Sequence, residues 1–316
     1  MPGAWLMKVV SYYNVVPSKN KSQEKFDILT KFIQGVNAAG DTGIVHAGND
    51  LLDADVGVIQ GWQHERGKNG PHLRLRQAVI DRTKNKHVCC ADANLFLYAN
   101  KSNSPHHYLR YSFDGVFRNT GQYFDNNPDP KRWQQISNDT GIKIENTKTD
   151  GRHILICAQR DKGWSMGKLQ LDLWLVNTCV EIRKYTDRPI IVRLHPKDNE
   201  TNRRANNISR SLAQFKGVGL SRNRDSIEKD LVGCYAVVNH NSSSIVGPII
   251  QGYHAFITDN ITSQCAEVAH TGFENIENPS VFDRQKWLER ISMCHWKFSE
   301  LEDGTAWKHM RQYVNS

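Results

Sequence analysis

Short β-branched runs closed by polar turns alternate along this chain with stretches whose apolar residues fall three and four apart. The first spacing predicts buried strands, and the second predicts helices laid between them. In the amino-terminal half, Leu6 to Tyr13, Thr42 to His46, Asp55 to Gln60 and His87 to Ala91 read as strands. Ser22-Gln-Glu24 gives a helix start with acidic support in the first turn. Phe26, Leu29, Phe32, Ile33 and Val36 describe that helix's buried face, and Gly40 stops it. Leu73 to Thr83 is a second helix, with Leu75, Val79 and Ile80 on one side and Arg74, Arg76, Arg82 and Lys84 around it. From Tyr98 to Asp139 the chain is polar and rich in aromatic residues, with little regular pattern, and a stretch of that length is a candidate functional loop.

The alternation resumes near Asp150. His153 to Ala158, Ile190 to Leu194, Val218 to Leu220, Ala236 to Val238 and Ala255 to Thr258 read as strands. The helices between them run from Leu169 to Tyr185, through Ala205 to Phe215, from Ser226 to Leu231 and from Ile245 to Gln251, where Gly252 ends the last. The tail from Phe282 to Val314, with Trp287, Trp296 and Trp307, reads as helices closing the fold. Strands buried on both faces with helices between them predict parallel α/β sheets, so the fold class expected is α/β in two halves.

In sheets of this kind ligands sit outside the carboxyl ends of the strands. Two polar clusters fall there. Arg193-Leu-His195-Pro196 ends one strand, and Asn239-His-Asn-Ser-Ser-Ser244 follows another. Serines at a helix start offer hydroxyls and free N–H groups to an anion such as a diphosphate, although Ser242, Ser243 and Ser244 can equally be a helix cap and nothing more. Arg160 and Lys162, after the first strand of the second half, either join that site or are solvated loop charges.

The ordered set Arg-x-His-Pro, strand, Asn-x-Ser-Ser, short helix, glycine and hydrophobic strand resembles the nucleotide-sugar domain of GT-B glycosyltransferases. It is similar above all to the capsule-polysaccharide type and to the DNA-modifying transferases of tailed phages. The match covers roughly residues 150 to 265. The resemblance implies two Rossmann-like domains facing a cleft, with a carboxy-terminal helix packed back on the first. The boundaries it suggests are 1–148 for an acceptor-side domain, 149–290 for the nucleotide-sugar domain and 291–316 for the closing helices. It also implies that Arg193, His195, Ser242, Ser243 and Ser244 line the donor diphosphate, with a nucleotide sugar, UDP-linked, as co-substrate. One departure stands out. The family's Glu-Ala after the serines is replaced here by Val246-Gly-Pro248, and Gly252-Tyr-His-Ala255 stands where Gly-x-Pro is usual, so the acidic residue that grips the donor ribose is missing from its place.

Composition narrows the field. With 39% apolar and 23% charged residues the chain is an ordinary globular protein. No run approaches the about 18 apolar residues of a membrane span, and Lys8 breaks the only apolar start, so a cytoplasmic protein is expected. The seven cysteines, widely spaced and without a C-x-x-C, predict buried free thiols in a reducing compartment. No glycine-rich phosphate loop is present, which argues against NAD and ATP. Asp53-Ala-Asp55 leads into a strand and does not leave one, so a metal-independent reaction, or at most metal stimulation, is expected, with no cofactor required. The net charge of +8 favours a polyanionic partner, nucleic acid before an acidic membrane surface.

Glycosyl transfer can use a carboxylate as base for the acceptor hydroxyl. Asp114, in Tyr111-Ser-Phe-Asp-Gly115, is the first candidate, with a plain Asp-Gly turn as the other reading; Asp92 and then Asp50 follow. His107, Arg110, Tyr111 and Arg118 mix basic and aromatic side chains, which suits stacking on bases and holding phosphates, or simply a packed loop. The acceptor expected is therefore DNA carrying hydroxymethylated pyrimidines such as 5-hydroxymethylcytosine, as in bacteriophage DNA modification. The alternatives are a polysaccharide or capsule acceptor, a sugar-nucleotide epimerase, and a non-catalytic nucleic-acid-binding protein on the same scaffold.

Overall fold

The computed structural model describes residues 6–18, 21–63, 69–96, 107–121, 127–196, 202–223 and 226–314. The chain divides into two compact units, Met1–Ile142 with Glu289–Ser316, and Lys143–Leu288.

The first unit opens with β1 (Lys8–Tyr12), α1 (Gln23–Ala38), β2 (Thr42–His46), β3 (Ala54–Gln60), α2 (Pro71–Ile80), β4 (Asn85–Ala93), β5 (Tyr108–Phe113) and α3 (Pro130–Thr140). The Ser22 hydroxyl accepts from Lys25 N–H, so the predicted helix start is a real cap. β1 to β4 are mutually parallel in the order β2-β1-β3-β4, and β5 runs antiparallel on β4. Val9, Val56 and Val58 of the sheet bury against Ile28, Leu29 and Phe32 of α1. Phe26, expected on that buried face, is exposed, and Ile28 takes its place.

In the second unit the elements are β6 (His153–Cys157), α4 (Leu171–Arg183), β7 (Ile190–Arg193), α5 (Asn202–Leu212), β8 (Val218–Leu220), α6 (Glu228–Leu231), β9 (Cys234–Asn239), α7 (Val246–Ile250), β10 (His254–Ile257) and β11 (His270–Thr271). All six strands are parallel in the order β11-β10-β9-β6-β7-β8. This is the doubly wound arrangement in which successive strands move outward from β6 on one side and then return to its other side at β9. β6, β7 and β9 are the apolar runs of the sequence, and one face of them packs against Leu175, Cys179 and Ile182 of α4 and Ile208 and Leu212 of α5 in one core. Gly252 ends α7 at φ +92°, a left-handed backbone that glycine adopts without strain.

The chain then passes through α8 (Arg284–Ser292), β12 (His295–Lys297), α9 (Phe298–Glu302) and α10 (Thr305–Met310). β12 is a correction to the all-helical tail, since it pairs antiparallel with β5 and extends the first unit's sheet. The tail is fixed there by buried polar bonds. Trp307 Nε1 donates to Asp41 Oδ2 at 2.7 Å, and Arg132 of α3 forms a buried fork on Glu300 at 2.5 and 2.8 Å while lying 4.1 Å from the Trp296 ring. A second correction concerns Tyr98 to Asp139, which holds β5 and α3 where an irregular loop was expected; residues 97–106 and 122–126 of it lie outside the described residues. All seven cysteines are buried free thiols, and burial pushes Cys234 and Cys265 up to about 12. Among the described residues no helix is long and apolar enough to cross a membrane.

Candidate functional site

The second unit's strand order sets a switch point between β6 and β9, whose loops leave in opposite directions from adjacent strand ends. A polar network fills it. Gln159, after β6, donates from Nε2 to Asn241 Oδ1 at 2.8 Å and to Ser165 Oγ at 2.9 Å, and accepts Asn241 N–H at 3.1 Å. Asn241, after β9, donates in turn to the Thr262 hydroxyl at 2.8 Å and to Asp259 Oδ2 at 3.2 Å. Burial raises the Asp259 carboxyl, but the Thr262 hydroxyl and the N–H groups of Thr262 and Ile261 more than offset it, so its pKa falls below the ordinary value. His240 donates to or accepts from Thr258 Oγ1 at 2.8 Å, and burial pushes its pKa down against the pull of Asp259.

Around this network stand the donor residues expected from sequence, on the ends of three adjacent strands. Arg160 and Lys162 follow β6, Arg193 and His195 end and follow β7, and Ser242, Ser243 and Ser244 follow β9. Lys162 is exposed in a left-handed turn at φ +57°, and His195 is half-buried. The Ser242 hydroxyl accepts from Ser244 N–H at 3.2 Å, so the cap reading holds for that serine. The Ser244 hydroxyl and the Asn239 side-chain oxygen are buried without a hydrogen-bond partner. Arg193 is drawn toward the sheet face. Its Nη1 lies 2.8 Å from Asp230 Oδ2 and 2.7 Å from the Asn223 carbonyl oxygen.

The first unit has its own switch point, between β1 and β3, and a cavity of about 460 Å³ opens there. Val16, Pro17, Gln60 and Gly61 form one part of the wall, and Ala91, Asp92, Ala93 and Asn94 at the end of β4 form another. Glu24 and Lys25 of α1, Arg76 of α2 and His107 before β5 complete the polar lining. Asp92 Oδ2 accepts from Arg110 Nη2 at 2.7 Å, and His107 Nε2 lies 3.0 Å from Glu24 Oε1.

Of the residues expected to act on an acceptor, the structure brings Asp92 and His107 to this cavity, sets Arg110 on Asp92 and leaves the others elsewhere. Asp114 follows β5, whose antiparallel course carries it back beside Val88 at the opposite edge of the sheet. There it sits at φ +57°, accepts Val88 N–H at 2.9 Å and pairs with His87 Nδ1 at 2.7 Å, the bonding of a turn residue. Tyr111 is buried in the core against Phe32, with Tyr108 and Phe113 buried beside it on the same strand. Arg118 is exposed beyond β5, and Asp50 is bonded to His46 at 3.0 Å after β2. Sequence reasoning missed Gln159, Asn241, Asp259, Arg76, Asn94 and Glu24. For Asn241 a signal existed, since it stands inside the Asn-x-Ser-Ser run; Arg76 looked like one more charge on a solvated helix flank.

Two doubly wound α/β units, each with a polar switch point, are the architecture of GT-B glycosyltransferases. The chain is similar in fold to two transferases of that kind. One is the KpsC beta Kdo 2,7 transferase of Thermosulfurimonas dismutans, at 11% identity and a TM-score of 0.52, over 95% of this chain and 98% of that one. The other is the KpsC beta Kdo 2,4 transferase of the same organism, at 10% identity and a TM-score of 0.52, over 93% of each chain. No family model matches the chain, and no curated protein matches it in sequence.

Proposed function

We propose that this protein is a glycosyltransferase that moves a sugar from a nucleotide-sugar donor to an acceptor hydroxyl. One observation carries the reading: cationic and hydroxyl residues follow β7, β6 and β9 at the carboxyl edge of an all-parallel sheet, beside its switch point, where buried Ser244 Oγ and Asn239 Oδ1 are unserved. In the transfer, the acceptor oxygen forms a bond to the anomeric carbon as the bond to the diphosphate breaks, and the nucleoside diphosphate leaves. His195, Arg160, Lys162 and the N–H group of Ser243 stabilise the charge that grows on it. Asp92 takes the acceptor proton, because it is the carboxylate candidate that lines the cavity of the first unit, and Arg110 fixes its orientation.

For the acceptor we favour a glycan hydroxyl. Among the described residues the polar lining of the cavity beside Asp92 is carboxylates, amides and cations, its apolar lining is aliphatic, and no aromatic ring faces it except the His107 imidazole. A flipped base is ordinarily held by stacking. Burial of Tyr111 also withdraws the ring that made a base-stacking surface attractive. Hydroxymethylated DNA is the second reading, supported by the net charge of +8. The test is mass spectrometry after incubation with a panel of nucleotide sugars and two acceptor sets, oligosaccharides and DNA containing 5-hydroxymethylcytosine. A hexose-sized mass gain on an oligosaccharide supports the first reading, and a gain on the modified nucleoside supports the second. Neither gain, with no nucleotide released, sinks both.

A further inference from the structure

The cavity of the first unit contains a guanidinium that makes no hydrogen bond to a carboxylate among the described residues, and Asp92 acts on it only through space. Arg76 is 8% exposed, yet its guanidinium reaches only backbone carbonyls, Val15 O from Nη2 at 2.8 Å and Trp62 O from Nη1 at 3.2 Å, and its Nε is buried with no partner. The nearest carboxylates are engaged with others: Asp92 with Arg110 at 2.7 Å, and Glu24 with His107 at 3.0 Å. Burial pulls the Arg76 pKa down, the sign of a cation removed from water without full compensation. Buried charges in proteins are paired or serve a ligand. The same wall holds two further polar atoms in that condition: Asn94 Oδ1, on a side chain 5% exposed, and His107 Nδ1, on one 8% exposed.

These groups have complementary chemistry. Arg76, with Lys25 lining the same cavity, asks for an anion, while Asn94 Oδ1 asks for a hydroxyl donor and the carboxylates of Glu24 and Asp92, already bonded to His107 and to Arg110 and Ala93 N–H, have the lone pairs to accept further hydroxyls. We propose that this cavity is a binding site for an anionic saccharide, whose carboxylate or phosphate is held by Arg76 and Lys25 and whose hydroxyls are held by Asn94, Glu24 and Asp92. This rests on the reading of the protein as a glycosyltransferase with a glycan acceptor, and it narrows that acceptor to an acidic sugar.

Binding to the full chain at low ionic strength tests it by calorimetry, with glucose, glucuronate, glucose 6-phosphate and inorganic phosphate as probes and UDP titrated separately. Glucuronate or glucose 6-phosphate should bind at least about tenfold more tightly than glucose, and which of the two binds better tells carboxylate from phosphate. Inorganic phosphate alone should bind weakly, because it meets the cations and not the hydroxyl acceptors. Arg76→Met should weaken the acidic sugar roughly thirtyfold, and Lys25→Gln, at a partly exposed position that the fold does not depend on, by a few fold. Should Arg76→Met fail to fold, Lys25→Gln and the comparison of charged with neutral sugar still decide. Equal binding of glucose and glucuronate, or an Arg76→Met protein with intact circular dichroism and unchanged affinity, overturns the site. If UDP binds and no acidic sugar does, the anion site fails while the transferase reading stands. If an acidic sugar binds through Arg76 and no nucleotide does, the site stands and the transferase reading fails.

Discussion

Replacing Arg193 by alanine is expected to cost the second unit about 3 kcal/mol of stability, whatever it does to the donor. The Asp230 side chain is 2% exposed, and three partners hold its carboxylate: Arg193 Nη1 at 2.8 Å, the Ser221 hydroxyl at 2.7 and 2.8 Å, and Asn223 Nδ2 at 2.5 Å. Only Arg193 brings a charge. Breaking a buried pair by removing one partner typically costs about 3–5 kcal/mol, because the remaining ion is left uncompensated. Ser221 and Asn223 stay in place and keep the carboxylate hydrogen-bonded, which puts this case at the low end. With a urea slope of about 1–3 kcal/mol/M, the midpoint of the second unit should fall by about 1 M or more. Urea unfolding followed by tryptophan fluorescence, on Arg193→Ala, Asp230→Ala and the double variant, gives both the loss and the coupling. A coupling of about 2 kcal/mol is expected for residues in direct contact. A loss below about 1 kcal/mol with no coupling would show that the pair does not hold the fold and would free Arg193 for the diphosphate alone. UDP affinity, measured in native buffer on the folded fraction, then reports the donor role separately.

Asp92→Asn should lower the transfer rate by about 10²–10⁴ with UDP affinity unchanged, and a rate within a few fold of the parent removes Asp92 as base. Gly252→Ala should destabilise by about 2–4 kcal/mol, since the new Cβ would lie 2.0 Å from the Asn146 carbonyl oxygen at a left-handed φ of +92°. Gly40→Ala has the same φ of +92° with open space around it, so thermal unfolding should show a loss nearer about 1 kcal/mol there, and equal losses at the two glycines would refute the steric account. His295 is fully buried and neutral, with Leu95 N–H donating to Nε2 at 3.0 Å and Nδ1 donating to the Ile291 carbonyl at 2.6 Å; burial depresses its pKa from 6.5 to about 3. Below pH 6.5 the unfolded chain takes up a proton that the folded chain refuses, so stability falls as pH is lowered toward 3, by up to about 1.4 kcal/mol per pH unit. Urea midpoints between pH 7 and pH 4 should therefore fall less steeply in His295→Gln than in the parent, and parallel slopes would count against the buried neutral imidazole.

The periodicities that sequence reading relies on survive where one face of an element is buried by its own neighbours. β6, β7 and β9 are apolar on both faces, so their runs and their order along the chain were legible, and the polar clusters that follow them had to fall at the carboxyl edge. β5 was not legible, because Tyr108, Arg110 and Ser112 alternate with Leu109, Tyr111 and Phe113 and every one of them is buried. A polar side chain in a buried strand needs a partner from a distant part of the chain, and sequence spacing cannot show that partner. Arg110 finds Asp92, and Tyr108 finds Asp139. β12 is hidden for a related reason. It has only three residues, and it is a strand because β5 offers it an open edge. Arg193 illustrates the same limit at the site. Its place at a strand end was readable, while its bond to Asp230, 37 residues on, was not.

The two units solve the same problem in opposite ways. In each, strands that wind outward on both sides of a first strand leave a gap between loops, and a gap at the end of a buried sheet exposes backbone and side-chain polar groups that the core cannot serve. The second unit closes its gap with neutral amides, Gln159 on Asn241, a pair whose members satisfy each other and need no counter-ion. On the proposed reading, the negative charge in that unit comes with the ligand. The first unit leaves its gap open as a cavity and places inside it a guanidinium with no carboxylate of its own. An arginine in that position costs stability in the empty protein, because a buried cation held only by carbonyls is poorly compensated. A chain selected only for folding would lose that charge to an apolar residue of similar volume. On the proposed reading, an anionic saccharide supplies the compensation that the empty cavity lacks, and so accounts for a guanidinium placed beside Asp92.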